Sequence, residues 1–599
     1  MIATNLMDML QLQANRYGDK TALSYWPDGT AEQDRISYRE LDVRARAIAA
    51  DLQRRGAAGR HVLLACEPGI YNAIGYFGCI YAGAIPAPMN ENITRLKLIA
   101  ADINAGFVLA TTTMQTRIRG PIDALTPDNP PQWCLLDDDA HDAHGWMPPQ
   151  LGPDDVALIQ YTSGSTKAPK GVMVSHRNLL HNMEVSRRRW NGHDGDIAMW
   201  WLPQHHDMGL IGGMLEMLYT GITTYLMAPN TFIKRPLSWL EMLSRHRVTI
   251  TGGPTFAFDL CVKTTTPAQR AALDLSSVIH AWIGTEPVRA ATLQDFAAAF
   301  APAGFQLNSI QAAFGLAEAA LLVTAMQSPE VGGARYVDRG ELSRNHLVDV
   351  PADHPDAVPL VSCGPALDDM RVLIVDPETR LECPPDRVGE IWTSGPSVAL
   401  GYWGRPEETE RTFGARLADS DDGPYLRTGD LGFLCAGELF VTGRWSDLIT
   451  IRDVNYYPND IEDTASRSDP ALMPGRCAAF TVRPGGGADE QLVVVQEVNR
   501  ASLETDLTGA IEAIRARILA TQGIAVNDVL LVEPTHVPTT TSGKIQRSAA
   551  RERFQAGGFT PVAEWHAQPA PKANAGRPDL GLLGSAFKAA AQRRSRQGR

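Results

Sequence analysis

The sequence predicts an α/β protein of two or more domains, because helix-like and strand-like apolar patterns alternate along most of its 599 residues. Residues 44–52 have the pattern of an amphipathic helix, residues 62–66 that of a buried strand, and residues 73–85 that of a packed, glycine-spaced helix. Over residues 372–441 the pattern changes to short strands between Gly and Pro turns, which predicts a small β subdomain. Smaller-scale α/β alternation returns over residues 445–554.

Composition and charge narrow the class of protein. Hydrophobic residues make up 44% and charged residues 21%, which is typical of a globular protein in water. The formal net charge of −13 argues against general binding of nucleic acid, so no nucleic-acid partner is expected. The eight cysteines show no CxxC pair, and the chain has neither a signal-peptide pattern nor an apolar run of about 18 residues. These features predict a soluble, cytoplasmic protein without a membrane span.

The strongest chemical motif is the stretch YTSGSTKAPKGVMVSH at residues 161–176. A strand-like segment, residues 156–160, leads into it, and a helix-like segment, residues 177–185, follows it. Small and hydroxylated residues let backbone N–H and hydroxyl groups approach a phosphate closely, and Lys167 and Lys170 add positive charge. The stretch lacks the Gly-Lys-Ser/Thr triplet of the Walker motif. A flexible Ser/Gly loop is the alternative interpretation.

This stretch resembles the phosphate-binding signature of the adenylate-forming superfamily, which includes acyl-CoA synthetases, peptide-synthetase adenylation domains and luciferases. Four further motifs follow in the order that the superfamily has them. They are the adenine and magnesium motif FGLAE at residues 314–318, the ribose motif RTGD at 427–430, the hinge motif starting at Gly443-Arg444, and the lysine motif TSGKIQR at 541–547. The resemblance covers nearly the whole chain up to about Phe554.

The resemblance implies a site for ATP and Mg²⁺, with a role for each matched residue. The expected nucleotide-binding residues are Thr162, Ser163, Gly164, Ser165, Thr166, Lys167, Lys170, Gly284, Thr285, Glu286, Phe314, Gly315, Asp430 and Arg444. Glu318 and Thr166 are the expected magnesium ligands, Glu318 directly or through water. Lys544 is the expected catalytic cation. Such a cation is needed because a carboxylate must attack an anionic phosphate, and charge stabilisation offsets their repulsion.

Three segments resemble one branch of the superfamily, the fatty acyl-AMP ligases. They are LPQHHDMGLIGG at residues 202–213, GGPTFAFDLC at 252–261 and GTEPV at 284–288. The irregular residues 327–361 stand where this branch carries an insertion, which is thought to hinder domain rotation and the use of CoA. A decorative loop is the alternative for that segment. His206, followed by Asp207, is expected to act at the carboxylate end of the acyl pocket, with plain packing as the alternative.

The resemblance also implies a domain plan. An N-terminal AMP-binding domain, residues 1–443, is expected to hold two α/β subdomains and the small β subdomain, with the insertion at about 327–361. A hinge at 444–446, a mobile α/β domain at 447–567 and a flexible tail at 568–599 should follow. The active site should lie in the cleft between the two domains.

The predicted reaction is activation of a fatty or related carboxylic acid with ATP to acyl-AMP and pyrophosphate. The acyl group would then pass to the phosphopantetheine thiol of a separate acyl carrier protein, or of a carrier domain in a polyketide or peptide synthase. An acyl-CoA synthetase using free CoA and a nucleotide-binding homologue without catalysis are the alternatives. Departures from the family pattern at Ile283, Ser446 and Asp453 bear mainly on the second half-reaction.

Overall fold

The computed structural model describes residues 3–89, 92–138, 140–162, 169–326, 334–451, 454–483, 490–540 and 543–567. Several predicted features lie outside these ranges. They are Ser163, Gly164, Ser165, Thr166 and Lys167 of the phosphate motif, the start of the predicted insertion at 327–333, Asp453, residues 541–542 and the tail.

The largest sheet has eight strands in the order β14-β13-β12-β11-β9-β10-β1-β2. Its central strands run parallel, and the two edge strands, β14 and β2, are antiparallel to their neighbours. The bounds are β1 (Thr21–Tyr25), β2 (Asp34–Ser37), β9 (Ile197–Trp200), β10 (Thr223–Leu226), β11 (Ile250–Pro254), β12 (His280–Gly284), β13 (Ile310–Gly315) and β14 (Leu322–Ala325). Parallel strands of this kind place their carboxyl ends on one edge, where α/β proteins commonly bind ligands.

A second sheet, in the order β4-β3-β5-β6, is parallel throughout. Its strands are β3 (His61–Ala65), β4 (Ile85–Met89), β5 (Phe107–Ala110) and β6 (Gln132–Leu135). The predicted strand at 62–66 is confirmed, and the predicted helix at 44–52 lies within Tyr38–Arg54. The predicted helix at 73–85 is confirmed over residues 73–82 but is wrong at its end, because the helix stops at Gly83, which has φ of +72°, and Ile85 begins β4. Strand β6 was not predicted from the sequence, because a four-residue strand at the edge of a sheet shows little periodicity.

The small β region is confirmed as a five-stranded antiparallel sheet in the order β17-β22-β21-β19-β18. Its strands are β17 (Ser362–Pro365), β18 (Arg371–Val375), β19 (Gly389–Ser394), β21 (Leu426–Cys435) and β22 (Glu438–Arg444). A three-stranded sheet holds β7 (Val156–Tyr161), β8 (Gly171–Ser175) and β20 (Gly401–Tyr402), and a hairpin pairs β15 (Arg335–Asp338) with β16 (Ala357–Leu360).

The C-terminal region has its own sheet and its own apolar core. A two-stranded unit precedes the sheet, whose order is β25-β26-β27-β28. The strands are β23 (Ile449–Ile451), β24 (Val454–Tyr456), β25 (Leu472–Val482), β26 (Gln491–Val498), β27 (Asp528–Val532) and β28 (Ala563–His566). Ile461, Ile514 and Val494 are fully buried at the centre of this core. A separate core is what a domain able to move as a unit requires.

Helices cover the sheets of both regions. Those of the N-terminal region are α1 (Leu6–Tyr17), α2 (Tyr38–Arg54), α3 (Ile70–Ala82), α4 (Ile93–Asp102), α5 (Thr112–Asp123), α6 (His176–Arg189), α7 (Glu216–Thr220), α8 (Pro229–Lys234), α9 (Leu237–Arg245), α10 (Thr255–Thr264), α11 (Pro267–Ala271), α12 (Ala290–Phe300), α13 (Arg339–Leu342) and α14 (Pro406–Phe413). A π-helix spans Met208–Leu215. Those of the C-terminal region are α15 (Pro458–Ser466), α16 (Thr508–Gln522) and α17 (Arg547–Gln555). Among the described residues, no helix is both long and apolar enough to cross a bilayer.

The C-terminal region docks against α10 and α12. Arg289, at the start of α12, forms ion pairs with Asp259 of α10 and, at 3.0 Å, with Asp463 of α15. Gly543 has φ of +88°, and a side chain there would collide with the ring of Phe256. Glycine is therefore required for the loop that carries residue 544 to approach α10.

Candidate active site

A cavity of about 500 Å³ lies between the N-terminal sheets and the docked C-terminal region. Both regions contribute its walls. The lining residues used below are Thr162, His206, Asp207, Thr285, Glu286, Phe314, Gly315, Glu318, Asp430, Arg444 and Lys544. The structure therefore brings together most of the described residues that the sequence motifs had singled out, although they span about 380 positions of the chain (544 − 162 = 382).

The carboxyl ends of two neighbouring strands form one wall of the cavity. Thr285 and Glu286 follow the last residue of β12, and Phe314 and Gly315 end β13. Glu318 comes next, in a short 3₁₀ turn. This is the edge at which parallel α/β sheets bind ligands, because the loops that follow the strands converge there.

Thr285 carries two signs of a binding role. Its φ is +72°, a conformation that a β-branched residue adopts only at an energetic cost. Its Oγ1 atom is buried and has no hydrogen-bond partner within the described part of the chain. A strained backbone that presents an unsatisfied hydroxyl to a cavity is suited to bind a polar ligand.

Glu318 is held by one strong contact. The hydroxyl of Tyr402 donates a hydrogen bond to its Oε1 atom at 2.8 Å. Burial raises the pKa of Glu318 above its usual range, and the Tyr402 hydrogen bond opposes that shift. A buried carboxylate with a raised pKa gains stability from a bound cation, and Mg²⁺ prefers oxygen ligands. Glu318 therefore fits the metal that the sequence predicts.

Asp430 and Arg444 are directly paired across β21 and β22. The Nε atom of Arg444 donates to Oδ1 of Asp430 at 2.9 Å. Burial raises the pKa of Asp430, while Arg444 and Lys544 oppose that shift. The pairing places an oriented carboxylate on the cavity wall, as required of a group that accepts hydrogen bonds from ribose hydroxyls.

Lys544 projects from a tight turn. Its backbone N–H donates to Oγ1 of Thr540 at 3.1 Å, and the Thr540 N–H donates to the Lys544 carbonyl at 2.8 Å. Burial lowers the pKa of Lys544, while the Asp207, Asp430 and Glu286 carboxylates act to raise it. The three carboxylates favour the charged form of the amine, and that form can attract an incoming anion.

His206 and Asp207 are in direct contact beside this lysine. Nδ1 of His206 lies 2.6 Å from Oδ1 of Asp207. Burial would raise the pKa of Asp207, but His206 and Lys544 bring it down to about 2. Asp207 is therefore an anion throughout the physiological pH range, and it faces Lys544 from the N-terminal side.

Comparisons with known proteins agree with this geometry. The AMP-binding enzyme profile matches residues 10–403, and the profile of the Disco-interacting protein 2-like AMP domain matches residues 446–563. The chain is 41% identical over 578 residues to the medium-chain-fatty-acid–[acyl-carrier-protein] ligase JamA of Moorena producens, covering 94% of this chain and 97% of that protein.

This chain belongs to the AMP-binding enzyme family. It is also 34% identical over 582 residues to the long-chain-fatty-acid–AMP ligase FadD26 of Mycobacterium marinum, covering 93% of this chain and 98% of that protein. The solved fatty acyl-adenylate ligase from L. pneumophila, in complex with acyl adenylate and pyrophosphate, shares 34% identity and a TM-score of 0.71, covering 94% and 98% of the two chains. The predicted fatty acyl-AMP ligase branch, the α/β fold and the acid–AMP ligase activity, with ATP as a substrate, are confirmed.

This AMP-binding enzyme has a second, smaller pocket that meets the large cavity at Lys544. Asp207, Thr285, Ala313, Gly315 and Lys544 line both spaces. The remaining wall of the small pocket is mainly apolar and consists of Ser186, Arg189, Trp190, Met208, Trp282, Ile283, Gly284, Gln311, Leu321, Leu322, Ala325 and Met326. Lys544 thus stands where a polar and an apolar space join.

Among the described residues that were predicted to bind the nucleotide, Lys170 and Gly284 do not line the large cavity. Lys170 forms an ion pair with Glu408 at 2.7 Å and is absent from the residues that line the cavity. Gly284 lines the small pocket instead, beside Ile283. Their roles, like those of the other site residues, remain predictions.

Sequence reasoning missed three residues that shape the site. Tyr402 binds Glu318, Arg289 ties the C-terminal region to α10, and Trp282 lines the small pocket. Each lies in a segment whose sequence is typical of an ordinary protein core or surface. Their importance comes from contacts with residues far away in sequence, which periodicity and motif spacing do not reveal.

Proposed function

We propose that this enzyme joins a fatty acid to ATP, releasing pyrophosphate, and passes the acyl group to the phosphopantetheine thiol of a separate carrier protein. The observation that supports this proposal most is the place of Lys544, which lines both the polar cavity and the apolar pocket. A carboxylate held between the two spaces would meet the α-phosphate beside that ammonium.

The first half-reaction forms one bond and breaks another. A carboxylate oxygen attacks the α-phosphorus of ATP, and the bond from that phosphorus to the bridging oxygen breaks as pyrophosphate leaves. Lys544 would offset the negative charge shared by the carboxylate and the α-phosphate. Asp430 would orient the ribose, and Phe314 would pack against adenine. Mg²⁺, with Glu318 as a ligand, would neutralise phosphate charge.

The shape of the small pocket supports a fatty acid as the substrate. Trp282, Ile283, Leu321 and Met208 present apolar surface, which favours an aliphatic chain over a polar acid. The similar proteins named above are ligases of medium-chain and long-chain fatty acids. His206 and Asp207 would then bound the carboxylate end of the chain.

A carrier protein is the proposed acceptor, and restraint of the C-terminal region supports it. Nη1 of Arg339, within the predicted insertion, donates to Oε1 of Gln522 at 3.1 Å. The Asn455 N–H donates to the Ser343 carbonyl at 3.2 Å. These contacts resist rotation about residues 444–446, and we infer that a docked carrier protein overcomes this resistance whereas free CoA does not. We place the reaction in the cytoplasm, where ATP and carrier proteins would meet the enzyme.

The test measures both half-reactions of the purified full-length protein. With ATP, Mg²⁺ and octanoic acid, we expect equimolar octanoyl-AMP and pyrophosphate. On addition of a phosphopantetheinylated carrier protein, octanoyl-carrier and AMP should appear, and free CoA should react at least tenfold more slowly. Acyl-CoA formation at the carrier rate would identify a CoA ligase instead. Absence of acid-dependent pyrophosphate release across acids of all lengths would indicate a homologue without catalysis.

A further inference from the structure

The small pocket offers little volume for an acyl chain. Its volume is about 60 Å³, compared with about 500 Å³ for the nucleotide cavity. A group the size of water or methylene takes about 10–15 Å³ of such volume, so the pocket holds on the order of four to six methylenes. The carboxyl carbon and its neighbour would remain at the mouth beside Lys544. The whole acid then has about six to eight carbons.

A tryptophan held by two neighbouring rings is part of the wall of the small pocket. Trp282, on β12, packs between Trp190 and Trp200, with ring centroids 5.7 Å and 5.5 Å away. The indole Nε1 of Trp190 donates to the buried carboxylate of Glu216 at 2.8 Å, which fixes that ring. Packed and hydrogen-bonded rings do not move aside without losing these contacts. The wall behaves as a fixed stop rather than a flexible side chain.

The two tryptophans of the wall, Trp190 and Trp282, line the small pocket but not the large cavity. Trp190 and Trp282 are absent from the lining of the nucleotide cavity, whereas Asp207, Thr285 and Lys544 line both spaces. A change at Trp282 therefore alters the space for the acyl tail and leaves the groups around the phosphate unchanged. Chain-length preference and catalysis can be separated by mutation.

We propose that Trp282, braced by Trp190, sets the upper length of the acid, so that the enzyme activates medium-chain acids and rejects long-chain ones. This inference rests on the proposed function, since it names the substrate class for the same site. An aliphatic tail longer than the pocket would displace the tryptophan ring and lose the energy of its packing. Each methylene left outside the pocket also loses the stabilisation that burial of its apolar surface would give.

The first experiment needs no mutation. Pyrophosphate release is measured with saturated acids of 4, 6, 8, 10, 12, 14 and 16 carbons, and kcat/KM is compared. We expect a maximum at six to eight carbons and a fall of at least tenfold by 14 carbons. A flat profile, or a maximum at 14 to 16 carbons, overturns the length limit but leaves the ligase activity intact. Release with none of the acids overturns the proposed function itself.

The second experiment replaces the tryptophan in the wall of the small pocket with a smaller side chain. Trp282→Leu should shift the optimum by two or more carbons toward longer acids. The matched control is Trp239→Leu, because Trp239, on helix α9, is also a buried tryptophan but does not line the small pocket. The control should keep the wild-type optimum. An unchanged optimum in folded Trp282→Leu, or an equal shift in the control, contradicts the assignment.

A second variant, which fills the small pocket instead of enlarging it, tests the proposal if Trp282→Leu does not fold. Ala325 lines the small pocket, and Ala325→Leu adds three carbons to its wall without removing a core ring. The optimum should then move toward shorter acids, with acyl-AMP formation from hexanoic acid retained. An unchanged profile in this folded variant contradicts the claim that the pocket holds the tail.

Discussion

The large cavity and the small pocket meet at Lys544, but residues of different kinds line them. Charged and hydroxylated residues from distant motifs line the cavity, including Asp207, Glu318 and Asp430. The pocket is lined by residues such as Trp282 and Leu321, whose types are those of any protein core. Charged groups that act in a reaction must be placed accurately, whereas apolar groups only need to leave a space of the right size.

This difference indicates which property of the enzyme the cavity controls and which the pocket controls. Changes in the cavity should affect the rate of adenylation or the affinity for ATP. Changes in the pocket should affect which acid is chosen and leave the chemistry in place. Single substitutions can test whether rate and choice of acid are controlled separately.

The largest effect is expected at the junction itself. Lys544→Ala should slow acyl-AMP formation by about 10²–10³-fold, because a preorganised cation at a reacting phosphate contributes about 3–4 kcal/mol. Given synthetic acyl-AMP, the variant should still acylate the carrier at nearly the wild-type rate. Both rates are followed by mass spectrometry of the products. Lys263→Ala, which removes another lysine at the domain contact, is the control and should affect neither.

An equal loss in both half-reactions of Lys544→Ala would assign Lys544 a structural role. It would also mean that the C-terminal region does not move between the two steps.

The next effect concerns ATP affinity. Asp430→Ala removes a charged hydrogen-bond acceptor, which contributes roughly 1.5–3 kcal/mol, so the Kd for ATP should rise about tenfold or more. Isothermal titration in the absence of acid measures it. Asp422→Ala, an exposed aspartate paired with Arg371, is the control. The same Kd in both variants and the wild type would remove Asp430 from the nucleotide site.

The pH dependence of adenylation offers a smaller test. Burial lowers the pKa of Lys544, and Asp207 acts to raise it. Since the protonated amine is the active form, the rate should fall as the pH rises through that lowered pKa. Asp207→Asn removes the opposing carboxylate, so the alkaline limb should move to lower pH.

The measurement is pyrophosphate release as a function of pH, with Asp154→Asn as a surface control. An alkaline limb that stays in place in Asp207→Asn would show that Asp207 does not act on the amine.

The smallest effect is expected at the contact between the predicted insertion and the C-terminal region. Arg339→Ala removes the hydrogen bond to Gln522 and should change acyl-AMP formation by less than about threefold, since exposed contacts contribute little. Acyl transfer to CoA should rise severalfold. Arg344→Ala, in the same segment, removes an ion pair with the neighbouring Glu341 and should leave CoA use unchanged. No change in Arg339→Ala would remove this contact from the control of acceptor choice.

The same contrast explains what the sequence could predict. Motifs such as the FGLAE and RTGD stretches carry residues whose chemistry is specific, so Glu318 and Asp430 could be singled out from the sequence alone. The helix at 44–52 and most of the helix predicted at 73–85, up to residue 82, followed from the apolar patterns of the sequence. Trp282 and the position of Lys170 beside Glu408 could not be foreseen, because both depend on which distant residues the fold brings close. The strained φ of Thr285 likewise has no sequence signal, as threonine rarely adopts it.

The central claim is that one ammonium joins the two spaces, and a complex structure tests it most directly. The enzyme would be crystallised with a non-hydrolysable octanoyl-adenylate analogue that carries a sulfamoyl group in place of the phosphate. We expect the adenine against Phe314, the octanoyl tail in the pocket walled by Trp282, and the sulfamoyl group within hydrogen-bond distance of Lys544 Nζ. An acyl tail lying outside that pocket, with Lys544 turned away from the linkage, would contradict the claim.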